Sequence, residues 1–147
     1  MRLLANGITL NYEVFGDSGP WVVLSHSLMC DLTMWGAQID ALKNHFRVLA
    51  FDTRGHGASE APDAPYTLDQ LAVDVKELLD SLEINSPHWV GLSMGGMIGM
   101  VYAIQFPNSF ASLTLCDTTS RMPLEVQPAW RERIDIAKAE GMKALVP

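Results

Sequence analysis

The sequence is poor in cysteine and in long apolar runs, and it lacks a segment typical of a targeting signal. Its two cysteines, Cys30 and Cys116, do not have the spacing of a zinc site or of a disulfide-stapled secreted domain. No apolar run approaches the roughly 20 residues of a membrane span. The turn-forming pair Asn6 and Gly7 interrupts the chain before a signal-peptide core can form. We therefore expect buried free thiols, no metal site, no membrane partner and a cytoplasmic location.

Basic residues are also scarce, which excludes another class of partner. The chain has 10 Lys and Arg against 17 Asp and Glu, for a net charge of -7. Such a surface repels phosphate backbones, so we expect no nucleic-acid partner. Hydrophobic residues make up 48% of the 147. This proportion excludes a disordered chain, and the length favours about one domain with its own core.

Apolar periodicity predicts an alternation of strands and helices. Four continuous apolar runs are typical of strands that are buried on both faces of a parallel sheet, and a fifth, alternating segment is typical of a half-exposed strand. Thr67 and Gln70 predict a capping box at the start of the clearest helix. The order indicates an α/β fold with helices on both faces of a mostly parallel sheet. The predicted strands cover residues 8–14, 21–24, 46–51, 88–92 and 112–116, and the predicted helices cover 34–44, 68–82, 94–106 and 128–143.

One glycine-rich stretch carries the clearest chemical signal. Residues 91–95 read Gly-Leu-Ser-Met-Gly and lie between a predicted buried strand and a predicted helix. This is the context of a nucleophile elbow, in which a strained turn exposes the serine hydroxyl. Side chains two positions either side of Ser93 would collide with it, which accounts for Gly91 and Gly95. Gly96 and Gly99 would let the helix pack closely on the sheet. We predict that Ser93 is the nucleophile.

The same turn predicts where a negative charge on the substrate oxygen is stabilised. It directs the first amides of the following helix towards the Ser93 hydroxyl, so the Met94 N–H is one candidate oxyanion donor. In this type of site a second donor comes from the loop after the first parallel strand. That loop begins with Ser25, His26, Ser27 and Leu28. We therefore take the Leu28 N–H as the second candidate.

Three motifs together resemble the α/β-hydrolase superfamily, in particular 3-oxoadipate enol-lactonases and related esterases. The matching segments are residues 25–28 with Trp35 downstream, residues 52–59 and residues 91–96, which stand in the family's order and at its spacing. The resemblance covers residues 1 to about 120. It implies an α/β-hydrolase fold, truncated within a helical lid.

The resemblance also implies a division of the chain and a missing segment. Residues 1–120 would form the N-terminal part of the hydrolase core, and residues 121–147 would begin the lid. The family order of catalytic groups is serine, then acid, then histidine. We therefore expect the base to lie beyond residue 147, in a C-terminal part of a longer enzyme. That segment, or a second copy of the chain, is the expected protein partner.

The resemblance suggests roles for several other side chains. Asp117, at the end of a predicted strand, is a candidate for the triad acid. His26, beside the oxyanion loop, and Trp130 and Arg133, in the lid region, are candidates for substrate binding. His56 is expected to be structural, and His45 and His88 are expected at a surface or an interface. The remaining carboxylate of interest, Asp52, is expected to fix its own loop by pairing with Arg54.

These observations predict a serine hydrolase that cleaves a small carboxylic ester or lactone by acyl transfer, with no cofactor. A cofactor-free haloperoxidase-like enzyme or a C–C bond hydrolase would use the same fold and serine. Epoxide hydrolases and haloalkane dehalogenases are disfavoured, because they place an aspartate where this chain has Ser93. A different alternative is a non-catalytic fragment that persists only by pairing with its complement or with itself.

Overall fold

The computed structural model describes residues 1–63 and 65–145, and it contains one six-stranded sheet. The strand order across the sheet is β1-β2-β4-β3-β5-β6. Strands β3 to β6 run parallel, whereas β1 and β2 form an antiparallel edge that joins the sheet at β4. The strands are β1 Arg2–Ala5, β2 Ile8–Phe15, β3 Trp21–Ser25, β4 Arg47–Phe51, β5 His88–Leu92 and β6 Ser112–Cys116.

Within the described residues, four α-helices and three short 3-10 turns connect or follow these strands. The α-helices are α1 Gly36–Leu42, α2 Leu68–Ser81, α3 Met94–Gln105 and α4 Gln127–Glu140, and the 3-10 turns are Leu32–Trp35, Leu124–Val126 and Met142–Leu145. The first predicted helix is thus split in two. Asp31 caps the turn at 32–35 by accepting a hydrogen bond from the Thr33 N–H, and the α-helix begins only at Gly36.

Apolar side chains cover both faces of the sheet, as the sequence predicted. On one face, α2 and α3 pack on the sheet around residues such as Leu78, Trp89 and Ile98, all fully buried. On the other face, Trp35 and Ile39 pack against β3 and β4. Burial of both faces explains why the parallel strands are continuous apolar runs.

Helix α2 begins where its capping residue predicts. The Thr67 hydroxyl accepts a hydrogen bond from the Gln70 N–H at 3.1 Å. Within residues 1–63 and 65–145, no reciprocal bond joins the Gln70 side chain to the Thr67 N–H, so only half of the predicted capping box forms. Instead, the first turn is tied to α3, because the Gln105 side chain donates to the Asp69 carboxylate at 2.6 Å.

Strand β6 departs from the prediction of a fourth buried strand. It forms the edge of the sheet, with Leu115 42% exposed. Next to it lies an apolar groove of about 540 Å³ whose lining includes Met97, Leu113 and Met122. An apolar run looks the same with one neighbour as with two, so the pattern alone predicts a buried strand. The unpaired edge itself agrees with our expectation from the family resemblance, in which two further strands follow β6.

A second correction concerns the thiols. Cys30 and Cys116 are free, as expected, but both are partly exposed rather than buried. Cys116 ends the edge strand β6, and Cys30 lies in the loop after β3. No helix of the described residues has the length and apolarity needed to cross a membrane.

Candidate active site

Parallel pairing brings the predicted site residues to one edge of the sheet. Ser25 at the end of β3 is in register with Phe51 at the end of β4 and with Gly91 in β5. Leu92 is in register with Cys116 at the end of β6. The loops after these four strands therefore emerge side by side, which is where ligands bind in open parallel sheets.

Ser93 has the backbone geometry that a nucleophile elbow requires. It lies between β5 and α3 with φ 51° and ψ -111°, a left-handed conformation that non-glycine residues rarely adopt. Its N–H donates to the Cys116 carbonyl at 2.9 Å, so the turn is tied to the end of β6. Half-buried at the start of a helix, Ser93 is placed where backbone amides converge.

The glycines around Ser93 are required by close contacts with the surrounding backbone. A Cβ on Gly95 would lie 2.6 Å from the Ser25 carbonyl carbon, and a Cβ on Gly91 would lie 2.6 Å from the Gly96 nitrogen. The nearest collisions are therefore with β3 and with the first turn of α3. Since these obstacles are backbone atoms, a side chain at either position would force the elbow and the sheet apart.

Close packing of α3 on the sheet follows the prediction more directly. A Cβ on Gly99 would lie 2.8 Å from Cδ1 of Trp89, a fully buried residue of β5. The indole Nε1–H of this tryptophan donates to the Gly95 carbonyl at 3.2 Å. A glycine at 99 thus admits a large aromatic side chain that holds the first turn of α3.

The candidate oxyanion loop is a tight turn over Ser27, Leu28, Met29 and Cys30. The Cys30 N–H donates to the Ser27 carbonyl at 3.2 Å, and Met29 has φ 63°. A positive φ at the third residue alone is the signature of a type II turn, where glycine is the usual residue. Leu28 is therefore held at the second position of the turn, with its side chain 38% exposed.

The His26 side chain links this turn to the loop after β4. Its ring is fully buried, its Nε2 accepts a hydrogen bond from the Thr53 N–H at 2.9 Å, and its Nδ1 lies 2.7 Å from the Ser27 carbonyl oxygen. Since an N–H can only donate to an unprotonated nitrogen, the proton is on Nδ1, which donates to Ser27. Burial lowers the pKa of His26 below 6.5, and the nearby His56 acts in the same direction.

Asp52 fixes its loop as predicted, but not through Arg54. Its carboxylate accepts hydrogen bonds from the Leu32 N–H at 2.8 Å, the Asn11 side-chain amide at 2.9 Å and the Ala58 N–H at 2.8 Å. These bonds join β2, the loop before α1 and the loop after β4. The predicted pair is wrong because the Asp52 carboxylate is bound by these three N–H donors, while Arg54 pairs with another carboxylate.

Arg54 instead forms a buried ion pair with Asp74 of α2. The Nε and Nη2 atoms of the guanidinium donate to the two carboxylate oxygens at 2.7 and 2.6 Å. The side chain of Asn6 donates to the same carboxylate at 2.7 Å, and Arg54 also donates to the Asn6 carbonyl at 3.1 Å. The hydrogen bonds to Asp74 raise the pKa of Arg54 further above its ordinary value.

The sequence contained a signal for this pair that we did not use. Asp74 lies among the apolar positions Leu71, Val75 and Leu78 of α2, on the face predicted to be buried. A buried carboxylate needs a counter-charge or several hydrogen bonds. An acidic residue on an apolar helix stripe therefore predicts a buried cation nearby, although it does not say which one.

The other three histidines differ in their surroundings. His56 has its Nδ1 3.1 Å from the Arg54 carbonyl oxygen. His88, partly exposed, has its Nδ1 2.8 Å from the Ser112 hydroxyl, and His45 is exposed. Among the described residues, no histidine ring hydrogen bonds to Ser93. The structure thus does not bring a general base to the elbow from within residues 1–63 and 65–145.

The lid candidates lie on α4, which has no buried residue. The Arg133 guanidinium carbon is 5.5 Å from the centroid of the Trp130 ring, a cation–π contact on the helix surface. Asp117 follows β6 directly, is exposed and has φ 39°. It lies next to the carbonyl of Cys116 that binds Ser93.

Comparison with known proteins agrees with this architecture. Residues 20–145 match the family model described as the α/β hydrolase fold. The chain is 40% identical over 141 residues to 3-oxoadipate enol-lactonase 2 of Acinetobacter baylyi, a match covering 95% of this chain and 52% of the relative. These findings confirm the predicted fold class and the resemblance to enol-lactonases.

Two solved structures extend the comparison. The enol-lactonase from Burkholderia xenovorans LB400 superposes with a TM-score of 0.91 at 45% identity, covering 99% of this chain and 56% of that one. A thermophilic esterase from Thermogutta terrifontis superposes with a TM-score of 0.88 at 32% identity, covering 96% and 54%. The chain therefore spans about half the length of the relatives it matches.

Proposed function

Because this chain belongs to the α/β-hydrolase family, we propose that it carries the nucleophile and the oxyanion donors of a hydrolase acting on ester or lactone bonds. The observation that carries the proposal is the conformation of Ser93, a non-glycine residue at φ 51° between β5 and the first turn of α3. A strained serine at the carboxyl edge of a parallel sheet is typical of acyl-transfer enzymes on this fold. In this proposal Ser93 attacks the carbonyl carbon of the substrate and forms an acyl intermediate, which water then hydrolyses.

The tetrahedral intermediate would be stabilised by two backbone amides. Met94 is the first residue of α3, so its N–H has no partner within the helix and is available to an oxyanion. The Leu28 N–H belongs to the turn over residues 27–30. His26 Nδ1 and the Cys30 N–H both hydrogen bond to the Ser27 carbonyl and so hold this turn in place. Removing one such donor typically costs about 10²–10³ in rate.

We propose that the general base comes from outside the 147 residues. The support is that both ring nitrogens of His26 are used, by Thr53 and Ser27, while His56 is directed at the Arg54 carbonyl. A serine needs a base within hydrogen-bond reach to become a nucleophile at neutral pH. Asp117 is the candidate for the acid that orients this base. It directly follows β6, whose last residue, Cys116, accepts the hydrogen bond from the Ser93 N–H.

The same proposal assigns a partner to the exposed side of the sheet. The free edge of β6 and the adjoining apolar groove would be covered by a C-terminal segment of the same enzyme or, failing that, by a second copy of the chain. Leu115 of β6 and Ile104 of α3, 42% and 79% exposed, would then be covered. Residues 121–147 would begin a helical lid over the site.

The substrate we propose is an anionic lactone of the 3-oxoadipate enol-lactone type. The support is the name of the relative that is 40% identical over 95% of this chain. Such a lactone carries a carboxylate, which needs a cation in a protein of net charge -7. Arg133, stacked on Trp130, is the candidate for that cation, and His26 would contribute by shaping the oxyanion loop rather than by touching the substrate.

Labelling with a fluorophosphonate probe tests the nucleophile in the natural protein at its full length. The probe is expected to react with Ser93 in the wild type and not in Ser93→Ala, which should also lose ester and lactone turnover. Ser81→Ala, an exposed position at the end of α2, is the matched control and should label like the wild type. Equal labelling of the wild type and Ser93→Ala would contradict the proposed function.

A further inference from the structure

We propose that Thr118 is a positioning residue, which orients the Met94 N–H for oxyanion binding by holding the Ser93 carbonyl. The inference rests on the proposed function, since it concerns an oxyanion donor of the same site. Thr118 lies in the loop after β6, two residues beyond Cys116. Its hydroxyl donates to the Ser93 carbonyl oxygen at 2.6 Å.

This hydrogen bond acts on the candidate donor through a single rigid group. The Ser93 carbonyl and the Met94 N–H belong to one planar peptide unit and point in opposite directions. Rotation of that plane is described by ψ of Ser93, which is -111°, outside the range of the helix that follows. A bond that fixes the oxygen therefore fixes the direction of the N–H as well.

The end of β6 and the loop after it hold the elbow at two successive peptide units. The Cys116 carbonyl accepts from the Ser93 N–H at 2.9 Å, and the Thr118 hydroxyl donates to the Ser93 carbonyl. The Ser93 carbonyl also accepts hydrogen bonds from the Gly96 and Met97 N–H groups, at 3.0 and 3.1 Å. Those two bonds come from the helix itself, so within the described residues only Thr118 connects this carbonyl to the segment after β6.

The Thr118 hydroxyl also acts on the strength of the donor. A hydrogen bond accepted by a carbonyl polarises its peptide unit and makes the attached N–H a better donor. The Met94 N–H would therefore bind a developing oxyanion more strongly when Thr118 is in place. The effect appears mainly in the transition state, where the charge on the substrate oxygen is greatest.

Packing against Gly96 keeps the threonine in this position. A Cβ on Gly96 would lie 2.7 Å from Cγ2 and 2.8 Å from Oγ1 of Thr118. The absence of a side chain at 96 is what allows the hydroxyl to approach the Ser93 carbonyl. This gives Gly96 a role beyond the helix–sheet packing predicted from the sequence.

The test compares Thr118→Val, which keeps the shape and loses the hydroxyl, with Thr118→Ser, which keeps the hydroxyl. In the full-length natural protein, Thr118→Val is expected to lower kcat about five- to tenfold, the effect of one hydrogen bond, with little change in KM. Thr118→Ser is expected to retain most of kcat. Thr9→Val, in β2 on the antiparallel side of the sheet, is the matched control and should behave as the wild type.

A spectroscopic measurement separates this role from a general loss of folding. The ¹H and ¹⁵N resonances of the Met94 amide should shift in Thr118→Val, since the Ser93 carbonyl loses one of the three hydrogen bonds it accepts. They should return towards the wild type in Thr118→Ser. A second variant, Gly96→Ala, should push the threonine away and lower kcat. Combining it with Thr118→Ser, which lacks Cγ2, should recover part of the loss.

The outcomes distinguish the inference from the proposed function. If Ser93→Ala is inactive but Thr118→Val keeps the wild-type kcat and Met94 resonances, the inference is wrong and the proposed function stands. Failure of Thr118→Ser to retain kcat would also overturn the inference. Full turnover by Ser93→Ala would overturn the proposed function and the inference with it.

Discussion

The buried pair of Arg54 and Asp74 gives the sharpest prediction for stability. Their side chains are only 4% and 3% exposed, and two hydrogen bonds of 2.7 and 2.6 Å join them. We consider Asp74→Asn, which preserves the shape of the side chain but removes its charge. The new amide group would face the Arg54 N–H groups or the Asn6 side chain, so donors would oppose donors.

The magnitude follows from what remains buried after the substitution. Arg54 cannot lose its proton at any accessible pH, so its charge stays in the interior without a counter-charge. At an effective dielectric constant of about 20, charges about 3 Å apart attract by roughly 5–6 kcal/mol, part of which desolvation offsets. Measured costs of removing one partner of a buried pair are about 3–5 kcal/mol. Asp74→Asn should therefore remove a large share of a typical domain's stability of about 5–15 kcal/mol.

Urea unfolding, followed by tryptophan fluorescence, measures this loss. The matched control is Asp80→Asn, which breaks the exposed pair of Asp80 with Lys76 and should cost less than about 0.5 kcal/mol. The double variant Arg54→Met with Asp74→Leu should recover most of the stability, because apolar groups of similar volume replace the pair. A loss below about 1 kcal/mol in Asp74→Asn, or no recovery in the double variant, would refute the reasoning.

Three further predictions concern the site. In urea unfolding, Gly95→Ala should destabilise the protein by about 1–3 kcal/mol or more, because its Cβ would collide with backbone atoms. The control Gly36→Ala, whose Cβ would have nothing within 4 Å, should stabilise it by about 0.5–1 kcal/mol. Equal effects of the two substitutions would contradict this prediction. Because burial holds the pKa of His26 below 6.5, the unfolded chain binds a proton first and stability should fall as pH drops below 6.5, by up to about 1.4 kcal/mol per pH unit. His26→Gln should lack this component, and identical pH profiles of unfolding would disprove the assignment. Arg133→Ala should raise KM for an anionic lactone more than for a neutral ester of equal size, and equal changes would exclude a contact with the carboxylate.

The parts of the fold that the sequence predicted are those with local causes. The alternation of Ile8, Leu10 and Tyr12 on one face of β2 arises from the two-residue period of a strand, and all three are buried. The elbow at Ser93 was predictable because its glycines and its serine are contiguous in the chain. In each case the residues that determine the structure lie within a few positions of one another.

Contacts between distant residues were not predictable in the same way. We expected Asp52 to pair with Arg54, its near neighbour, whereas Arg54 binds Asp74, 20 positions away. Many carboxylates are available to a single arginine, and only the packing of α2 on the sheet selects one of them. Thr118 gave no sequence signal at all, because a threonine after a strand is common in loops without a function.

Each of the two proposed oxyanion donors is held by hydrogen bonds from the loop after a neighbouring strand, and the topology of the sheet explains why. The loop of Leu28 is tied through His26 to the Thr53 N–H, just after β4, and the peptide of Met94 is tied to Thr118, just after β6. Strands β4 and β6 are the neighbours of β3 and β5, the strands that lead into the two donor loops. Since the carboxyl ends of parallel strands meet at one edge, each donor loop can be held by a group from the adjacent strand rather than by its own chain segment. The precision of the proposed site would then depend on the pairing of neighbouring strands, and less on the exposed loops that carry the donors.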